Sequence, residues 1–560
     1  MRSSEKKRKI IVWSLLASVL IGAECVGQTE TVAEENNATA VIQGSVRSPD
    51  GTALYGILVS AKGAGRIDTT YVFTDEHGRY EFPPLPLREY EMAVGTARMA
   101  TVQLAASGAN QDFDEVQLGP DLVNQANGPG WLNAVPGSEE VKKKVAYACV
   151  ACHSAGILFT NSPSTPAGWA PIVNLMINDR AHNADWWPRD PDSPVYEHYL
   201  AAYSPENAKE ITEFLVENAT PETKNLYAAR ALLRPTGEAA RAVYTEWQFR
   251  ADRGGVRDAW TDEETGMIWY IMSNNTIGKL DPRTGEFQQW EYEWPALGHF
   301  HDMWLDARGD PWITASRIDK IVKFDSRSYE FTTWDVPSEL GHYPHTGGFD
   351  QSGNYWFTLM AGEDAGVAML DPRTGEFTKF DAPTKWSYSY DVWVDRERED
   401  VWFSQLHANK IGKVEIGTGT LTEYSVPTPF ALPRRLEMDS RGRMWFVASG
   451  YPGQISMLDP ETGQFSEYQF GVPNGYPYWP AVDRRDKIWF NSVEGNMLVK
   501  FDPDTEEFVR FLLPVPETYS RAAGHIDYSI EPYGVLYPSA NRPGVLGRMQ
   551  VREERVSSRP

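Results

Sequence analysis

Two cysteines and a histidine stand close together in the stretch YACVACHSAG, residues 147–156. Cys149, Cys152 and His153 form the spacing C-x-x-C-H. Three kinds of chemistry use such a group: a zinc site, a redox-active dithiol, and covalent attachment of a c-type haem. A structural zinc site needs further ligands, usually cysteines, and the chain has only one other cysteine, Cys25. A thioredoxin-like dithiol needs a βαβ frame, whereas the flanking sequence has helical spacing.

Covalent attachment of haem accounts for all three side chains of this motif. Two thiols can form thioethers with the two vinyl groups of a haem, and a histidine directly after them can bind the iron. We therefore expect one covalent haem c, with Cys149 and Cys152 as its anchors and His153 as its proximal iron ligand.

The sixth iron ligand must come from elsewhere in the chain. Trp169, Val173 and Met176 are spaced i, i+4 and i+7, which places them on one face of a helix. The pattern predicts Met176 as the distal iron ligand, and His182 and His198 remain alternatives. A methionine ligand raises the reduction potential, which suits the transfer of electrons to another protein.

The segment around the motif, residues 119–235, has the pattern of a small helical domain. The stretches GSEEVKKKVAYACVACH and SPENAKEITEFLVEN combine helix formers with helical spacing of their apolar residues. The first resembles the segment that leads into the haem-binding helix of the cytochrome c family. EITEFLVEN resembles the closing helix of that family, and W-x-x-x-V-x-x-M its distal helix in multidomain members. The resemblance implies a cytochrome c domain with the haem anchors and ligands named above.

A repeat array occupies residues 243–551. Tryptophans recur every 43–46 residues in the consensus D-x-x-G-x-x-W-F, at Trp269, Trp312, Trp356, Trp402, Trp445 and Trp489. A period of about 45 residues with four short strands in each unit is typical of a β-propeller. A seventh, weaker unit ends after three strands, and the stretch AVYTEWQF, residues 242–249, matches the strand that it lacks. We therefore expect a seven-bladed β-propeller that this N-terminal strand closes.

The repeats resemble the blades of the streptogramin lyase (virginiamycin B lyase) family, as in IWYIMSNNTIGKLDPRTGEF and VWFSQLHANKIGKVEIGTGTLTEYSVP. The resemblance implies chemistry with a histidine at the start of an inner strand and a glutamate two residues after the W-F pair. Histidines stand at such starts. The glutamate positions hold other residues, namely Met272, Ala315, Leu359, Gln405, Ala448 and Ser492. The fold resemblance is therefore stronger than the resemblance in lyase chemistry, and no acidic ligand set marks a calcium-dependent lactonase either.

Residues just before each inner strand should surround one opening of the central channel, because every blade presents the same loop there. The predicted catalytic or binding residues are His301, His345, Tyr390, Arg434, Trp479 and His525. Neighbouring candidates in these loops are His299, His342, Tyr388, Arg435 and Tyr478, and His407 joins them from a loop after a second strand. Neutral imidazoles there could bind a transition metal or act as bases, and Arg434 could hold an anionic group. The alternative is a polar opening that binds nothing.

Residues 40–118 alternate apolar and polar side chains between turn signals such as SPDG and DEHG, as β-strands do. The segment resembles the carboxypeptidase regulatory-like domain, a prealbumin-like β-sandwich related to carbohydrate-binding-like folds. The matching residues are Gly44, Val46, Asp50, Gly51, Val59, Thr74, Asp75, Gly78, Tyr80, Phe82, Leu85 and Tyr90. The resemblance implies a fold but no particular activity.

The N-terminus has the pattern of a signal peptide, residues 1–27. A basic head precedes 14 mostly apolar residues, 10–23, a run too short for a comfortable membrane span. Glu24 before Cys25 disfavours a lipid anchor. We expect a periplasmic or secreted protein with no stable membrane span after signal removal. The net charge of −24 argues against a nucleic-acid partner, which would need a basic surface.

Together these patterns predict a multidomain, mainly β protein with a β-sandwich, a small α-helical cytochrome c domain and a seven-bladed propeller. The expected function is electron transfer or oxidoreduction, with a small-molecule substrate or a redox partner bound at the propeller opening. That redox partner would be another cytochrome or a small electron carrier. Two alternatives remain: a propeller lyase or hydrolase with an accessory cytochrome, and a non-catalytic electron-transfer or binding protein.

Overall fold

The structure, a computed structural model, is described for fourteen parts of the chain, which leave out both termini and much of the helical segment. These parts are residues 38–94, 98–117, 132, 134–145, 158, 165–174, 204–220, 234–249, 254–294, 299–450, 452–472, 475–514, 525–539 and 542–553. The predicted signal peptide, Cys149, Cys152, His153 and Met176 lie outside the described residues, as do the alternative ligands His182 and His198. Within the described parts, no helix is long and apolar enough to span a membrane.

Short strands make up the N-terminal part of the described chain. They are β1 (Thr39–Ala40), β2 (Ile42–Ser45), β3 (Leu58–Gly63), β4 (Asp68–Phe73), β5 (Arg79–Glu81), β6 (Leu85–Pro86), β7 (Glu89–Val94), β8 (Arg98–Gln103) and β9 (Ala109–Asn110). They pair in the orders β1-β6, β5-β2-β9 and β4-β3-β7-β8. Alternate side chains, among them Val59, Val72, Phe82 and Met92, are buried in one apolar core, as the alternating sequence predicts.

The described parts of the next segment contain three α-helices: α1 (Glu139–Val145), α2 (Pro166–Asn174) and α3 (Pro205–Asn218). Ser204 begins α3, because its side-chain oxygen accepts a hydrogen bond from the backbone N–H of Asn207 at 3.1 Å and Pro205 occupies the first turn. Helix α3 contacts both α1 and α2, and its apolar face is buried together with Trp169 and Val173 of α2. The predicted helical segment is thus helical in its described parts.

Between residues 254 and 514, the described residues form six four-stranded antiparallel sheets. Their strands are β11 (Val256–Asp262), β12 (Met267–Met272), β13 (Thr276–Leu280), β14 (Phe287–Glu291), β15 (Phe300–Leu305), β16 (Pro311–Ala315), β17 (Lys320–Phe324), β18 (Phe331–Asp335), β19 (His342–Phe349), β20 (Tyr355–Ala361), β21 (Gly366–Asp371), β22 (Glu376–Asp381), β23 (Ser389–Asp395), β24 (Asp400–Gln405), β25 (Lys410–Glu415), β26 (Leu421–Ser425), β27 (Pro433–Met438), β28 (Met444–Ala448), β29 (Gln454–Leu458), β30 (Phe465–Gln469), β31 (Pro477–Val482), β32 (Ile488–Ser492), β33 (Met497–Asp502) and β34 (Glu507–Leu512). A short 3₁₀ helix at Gly237–Arg241 leads into the strand at Ala242–Gln248, and another at Ser316–Ile318 connects β16 to β17.

A seventh sheet combines strands from both ends of the array: β35 (Ile526–Asp527), β36 (Gly534–Pro538), β37 (Val545–Val551) and β10 (Ala242–Gln248). Strand β10 pairs with β37 from Ala242 opposite Val551 to Gln248 opposite Val545. The predicted pairing of the N-terminal strand with the last repeat is confirmed. The other edge of β10 pairs with β4, so the N-terminal strands continue this sheet to eight strands. The sequence did not predict this junction.

A hydrogen bond explains the recurring D-x-x-G-x-x-W pattern. The aspartate accepts backbone N–H groups of its own turn, and its second oxygen accepts the indole N–H of the tryptophan six residues later. In the sheet of β27–β30, Trp445 Nε1 donates to Asp439 Oδ2 at 2.8 Å, and Trp356 and Asp350 repeat the bond at 2.9 Å. One extra residue separates Asp395 from Trp402, and the buried indole N–H of Trp402 has no partner among the described residues.

Candidate functional site

The first strand of each repeat carries the residues that the sequence singled out. These strands are β11, β15, β19, β23, β27 and β31, and the register of each against its neighbour shifts near its start. Such an irregularity leaves residues unpaired and redirects their side chains. Counting from the residue opposite the recurring tryptophan defines three positions that are equivalent in all six strands.

The first position lies three residues before the one opposite the tryptophan, the second lies two before it, and the third is the opposite residue itself. First positions are Arg257, His301, His345, Tyr390, Arg434 and Tyr478. Second positions are Asp258, Asp302, Thr346, Asp391, Arg435 and Trp479. Third positions are Trp260, Trp304, Gly348, Trp393, Glu437 and Ala481.

His301 and His345 lie side by side, with their ring centroids 3.9 Å apart. His301 Nδ1 is 3.1 Å from the carbonyl oxygen of His345, and His345 Nδ1 is 2.6 Å from that of Tyr390. A carbonyl oxygen can only accept, so each Nδ1 carries the proton and donates it. Each Nε2 therefore keeps a lone pair, to which no described residue donates. Burial lowers the pKa of both imidazoles well below the ordinary value, so both are neutral near pH 7.

Tyrosines and one arginine extend this pair. Tyr390 packs on His345 with centroids 4.2 Å apart, and its hydroxyl is 2.5 Å from that of Tyr478. The guanidinium of Arg434 lies over the rings of Tyr390, Tyr476 and Tyr478 at 4.8–5.2 Å and donates a hydrogen bond to the Tyr476 hydroxyl. We call His301, His345, Tyr390, Arg434 and Tyr478 the histidine–tyrosine cluster. It combines two neutral acceptors, phenolic hydroxyls and one positive charge.

A buried ion network lies at the second positions. Arg435 Nη1 donates to Asp302 Oδ1 at 2.7 Å and to Asp391 Oδ1 at 3.1 Å. The remaining carboxylate oxygens accept backbone N–H groups of the next inner strand, from Gly347 at 3.1 Å and from Leu436 at 2.9 Å. Burial raises the pKa of Asp302 to about 7, although Arg435 opposes the shift, and burial also raises the pKa of Asp391. The network thus joins inner strands that are far apart in the sequence.

The sequence prediction did not include Asp302 and Asp391. A recurring x-D-x-W pattern at residues 257–260, 301–304 and 390–393 would have indicated them. Their partner Arg435 stands in a strand without that pattern. The sequence therefore contains a signal for the carboxylates, but the pairing across strands depends on the fold.

Trp479 and His525 occupy other positions than the sequence predicted. Trp479 is at a second position, and the residue equivalent to Tyr390 and Arg434 is Tyr478. The backbone N–H of Leu536, which stands where the other repeats have tryptophan, donates to the carbonyl oxygen of His525. His525 is therefore at a third position, beside Trp260 with ring centroids 3.5 Å apart, and not beside His301. Four of the six predicted residues lie in the histidine–tyrosine cluster, and the other two line a separate cavity.

The residues predicted to hold haem lie outside the described parts, so their arrangement stays a prediction. Trp169, which was placed on the same helix face as Met176, is 3% exposed and packs against α3. Its indole N–H has no hydrogen-bond partner among the described residues. Across those residues, no group of three or more histidine, cysteine, aspartate or glutamate side chains is arranged to hold a metal ion.

The sheet array is similar to known proteins in sequence and in structure. Residues 250–526 match the model of the virginiamycin B lyase family. A streptogramin B lyase structure is 23% identical and covers 57% of this chain and 100% of its own, with a TM-score of 0.50. Selenomethionine-substituted virginiamycin B lyase from Staphylococcus aureus is 17% identical over 55% of this chain and 100% of its own, with a TM-score of 0.48. No curated protein matches this chain. The sheet array is therefore a β-propeller similar to that of the virginiamycin B lyase family.

Proposed function

We propose that this protein is an exported, monohaem c-type cytochrome whose propeller binds a small anionic substrate and exchanges electrons with it. The histidine–tyrosine cluster would bind the substrate, and the helical segment would hold the haem. Haem supplies one-electron chemistry when bound. Electrons would leave to a redox partner, another cytochrome or a small carrier, and the protein would act in the periplasm or outside the cell.

The haem part of the proposal rests on the C-x-x-C-H motif together with the packing of α1, α2 and α3. Cys149 and Cys152 would form the thioethers, with His153 and Met176 as the axial ligands. The buried indole N–H of Trp169 favours the presence of a hydrogen-bond acceptor next to α2, because buried donors in folded proteins are almost always hydrogen bonded. A haem propionate is such an acceptor.

The substrate-binding part rests on one observation, the convergence of two free imidazole lone pairs with the guanidinium of Arg434. Tyr390 lies between them, since it contacts the ring of His345 and the guanidinium of Arg434. A guanidinium favours carboxylate or phosphate groups, and neutral imidazoles near pH 7 can accept a proton from a bound hydroxyl or enol. The favoured substrate is therefore a small anion with an acidic hydroxyl group.

The proposed architecture has three parts. We propose that the seven sheets close into one seven-bladed ring, supported by contacts between β11 of the first sheet and β36 of the seventh. A prealbumin-like β-sandwich would precede the cytochrome c domain. Because β4 pairs with β10, such a sandwich would be held rigidly against the last blade.

A propeller lyase with an accessory cytochrome is the second candidate, and the match of residues 250–526 to the virginiamycin B lyase family favours it. The residues two positions after each W-F pair weigh against it, because Gln405 and its counterparts cannot act as a carboxylate base. In this candidate, the bond-breaking reaction would proceed with the oxidation state of the iron unchanged.

The test is ligand-dependent change of the haem absorption bands. The oxidised and the reduced holoprotein are each mixed with a panel of small hydroxy- and keto-acids, and the bands are followed. The key variant is His345→Asn, because an asparagine amide can still donate to the carbonyl of Tyr390 but lacks the Nε2 lone pair. The matched control is His342→Asn at an exposed histidine whose Nδ1 contacts Asp319 at 2.8 Å.

We expect His345→Asn to lower the rate of substrate-dependent haem reduction by at least about tenfold, in line with the usual contribution of a positioned acid or base. The control should react like the unmodified protein. Substrate turnover with no change in the haem bands would replace the redox proposal by the lyase. Equal rates in the two variants would mean that the histidine–tyrosine cluster does not react with the substrate.

A further inference from the structure

A cavity of about 270 Å³ lies at the third positions of the inner strands. Its principal lining residues are Trp260, Trp304, Trp393, Trp479, Glu437 and His525, and we call it the tryptophan cavity. None of the five residues of the histidine–tyrosine cluster lines it. Asp391 and Arg435 of the buried ion network form part of its wall, so the network separates the two sites.

The indole rings of this cavity are inclined to each other. Trp260 and Trp304 have centroids 4.7 Å apart at an interplanar angle of 44°, and Trp304 and Trp393 are 6.0 Å apart at 64°. Inclined aromatic walls suit a compact, rounded group better than a flat ring, which needs two parallel faces. The indole N–H of Trp260 is buried and has no partner among the described residues.

Most of the ionisable side chains that line the cavity are acidic, namely Glu263, Asp391 and Glu437. Arg435 is neutralised by its contacts with Asp302 and Asp391 and stacks on Trp479 at 3.6 Å. The carboxyl group of Glu437 accepts the backbone N–H of Val482, and no lysine or arginine of the described parts forms an ion pair with it. One carboxyl group thus stands without a cation beside three indole rings.

We propose that the tryptophan cavity binds a small organic cation of the quaternary-ammonium or protonated-amine class. Indole faces attract such cations by about 0.5–2 kcal/mol each, and a carboxylate without an ion pair completes the charge balance. This site is independent of the substrate that the histidine–tyrosine cluster is proposed to bind.

The experiment uses calorimetric titration of the full-length holoprotein with choline. Its neutral isostere, 3,3-dimethylbutan-1-ol, has the same shape and hydroxyl group but no charge. The titrations are run at about pH 9, where Glu437 is ionised, since burial raises its pKa to about 8. We expect choline to bind at least about tenfold more tightly than the isostere.

Two variants locate the site. Trp304→Leu removes the central indole, and Glu437→Gln removes the charge with little change of shape. Each should weaken choline binding about tenfold or more, as expected for the loss of one strong contact. The control is Trp294→Leu, because Trp294 is an exposed indole with Lys320 above its ring at 4.3 Å, and its loss should leave the affinity unchanged.

The proposal is overturned if choline does not bind, if the isostere binds equally well, or if Glu437→Gln retains full affinity. Thermal unfolding of each variant shows whether its fold is intact. Should Trp304→Leu fail to fold, the comparison of Glu437→Gln with the unmodified protein decides the question alone.

Discussion

Arg435 should contribute more to the stability of the propeller than an ordinary arginine, and Arg435→Met tests this. Methionine keeps most of the side-chain length and removes the guanidinium. Asp302 and Asp391, which are 0% and 4% exposed, then lose their common cation. Removal of one partner of a buried ion pair costs about 3–5 kcal/mol of unfolding free energy, because it leaves an uncompensated buried charge.

The pH dependence of this loss has a definite sign. Burial already raises the pKa of Asp302 from 3.8 to about 7 with Arg435 present. Below the unfolded pKa, the carboxyl group is protonated in both the folded and the unfolded state. As the pH rises to the folded pKa, the unfolded state ionises first, so the free energy of unfolding falls by about 4 kcal/mol in total. Without Arg435 both carboxyl groups should protonate more readily. The deficit of Arg435→Met should therefore shrink to about 1–2 kcal/mol at pH 5, mainly from lost packing on Trp479.

The assay is denaturant unfolding followed by near-ultraviolet circular dichroism, which reports on the buried tryptophans of the repeats. Stability is compared at pH 5 and pH 8 for the unmodified protein and Arg435→Met. The control is Arg441→Met, because Arg441 is half exposed and pairs with Asp504 at 3.2 Å on the surface, where an ion pair contributes at most about 1 kcal/mol. If Arg435→Met matches this control, or if its deficit is the same at both pH values, the buried network does not carry the stability assigned to it.

Further outcomes follow from other parts of the chain. Simultaneous Cys149→Ala and Cys152→Ala should abolish peroxidase staining of the denatured protein, because each thiol forms one thioether; a stained band would contradict covalent haem. Met176→Ala should shift the reduction potential downward in a redox titration, because water or another ligand replaces the thioether; an unchanged potential would assign the sixth position to another residue. Asp439→Asn should lower the free energy of unfolding by about 2 kcal/mol, since a buried charge-assisted bond to Trp445 is weakened. Thr69→Pro should loosen the pairing of β4 with β10 and speed proteolysis near that junction, because the bond from the Gln248 N–H to the Ile67 carbonyl and the strand register place the Thr69 N–H against β10; an unaffected rate would mean that this pairing is not needed there.

The sequence determined the repeat unit and its strands. A buried tryptophan recurs in six sheets, and in four of them its indole N–H bonds to the aspartate of its own turn. These are local requirements, so they are visible as a period in the chain. The same reasoning found β10, whose sequence AVYTEWQ fits the missing fourth strand, and its pairing with β37 is confirmed. The C-x-x-C-H motif is similarly local, and it predicts haem chemistry independently of the fold.

The tertiary structure decided which side chains meet. His301 and His345 were both placed at strand starts by the sequence, and their contact follows from the packing of neighbouring sheets. His525 also stands at a strand start, but its position is set by hydrogen bonding to β36, and it lies with the tryptophans instead. A shift of register by one or two residues moves a side chain to another site, and a repeat consensus does not record such shifts.

The sequence likewise did not predict that Arg435 pairs with Asp302 or that β4 joins β10. The first joins residues 133 positions apart, and the second joins strands whose exposed edges could each have paired elsewhere. Local patterns fix the strands and their turns because those depend on neighbouring residues. Contacts between distant strands depend on how all the sheets pack together, and only the tertiary structure contains that information.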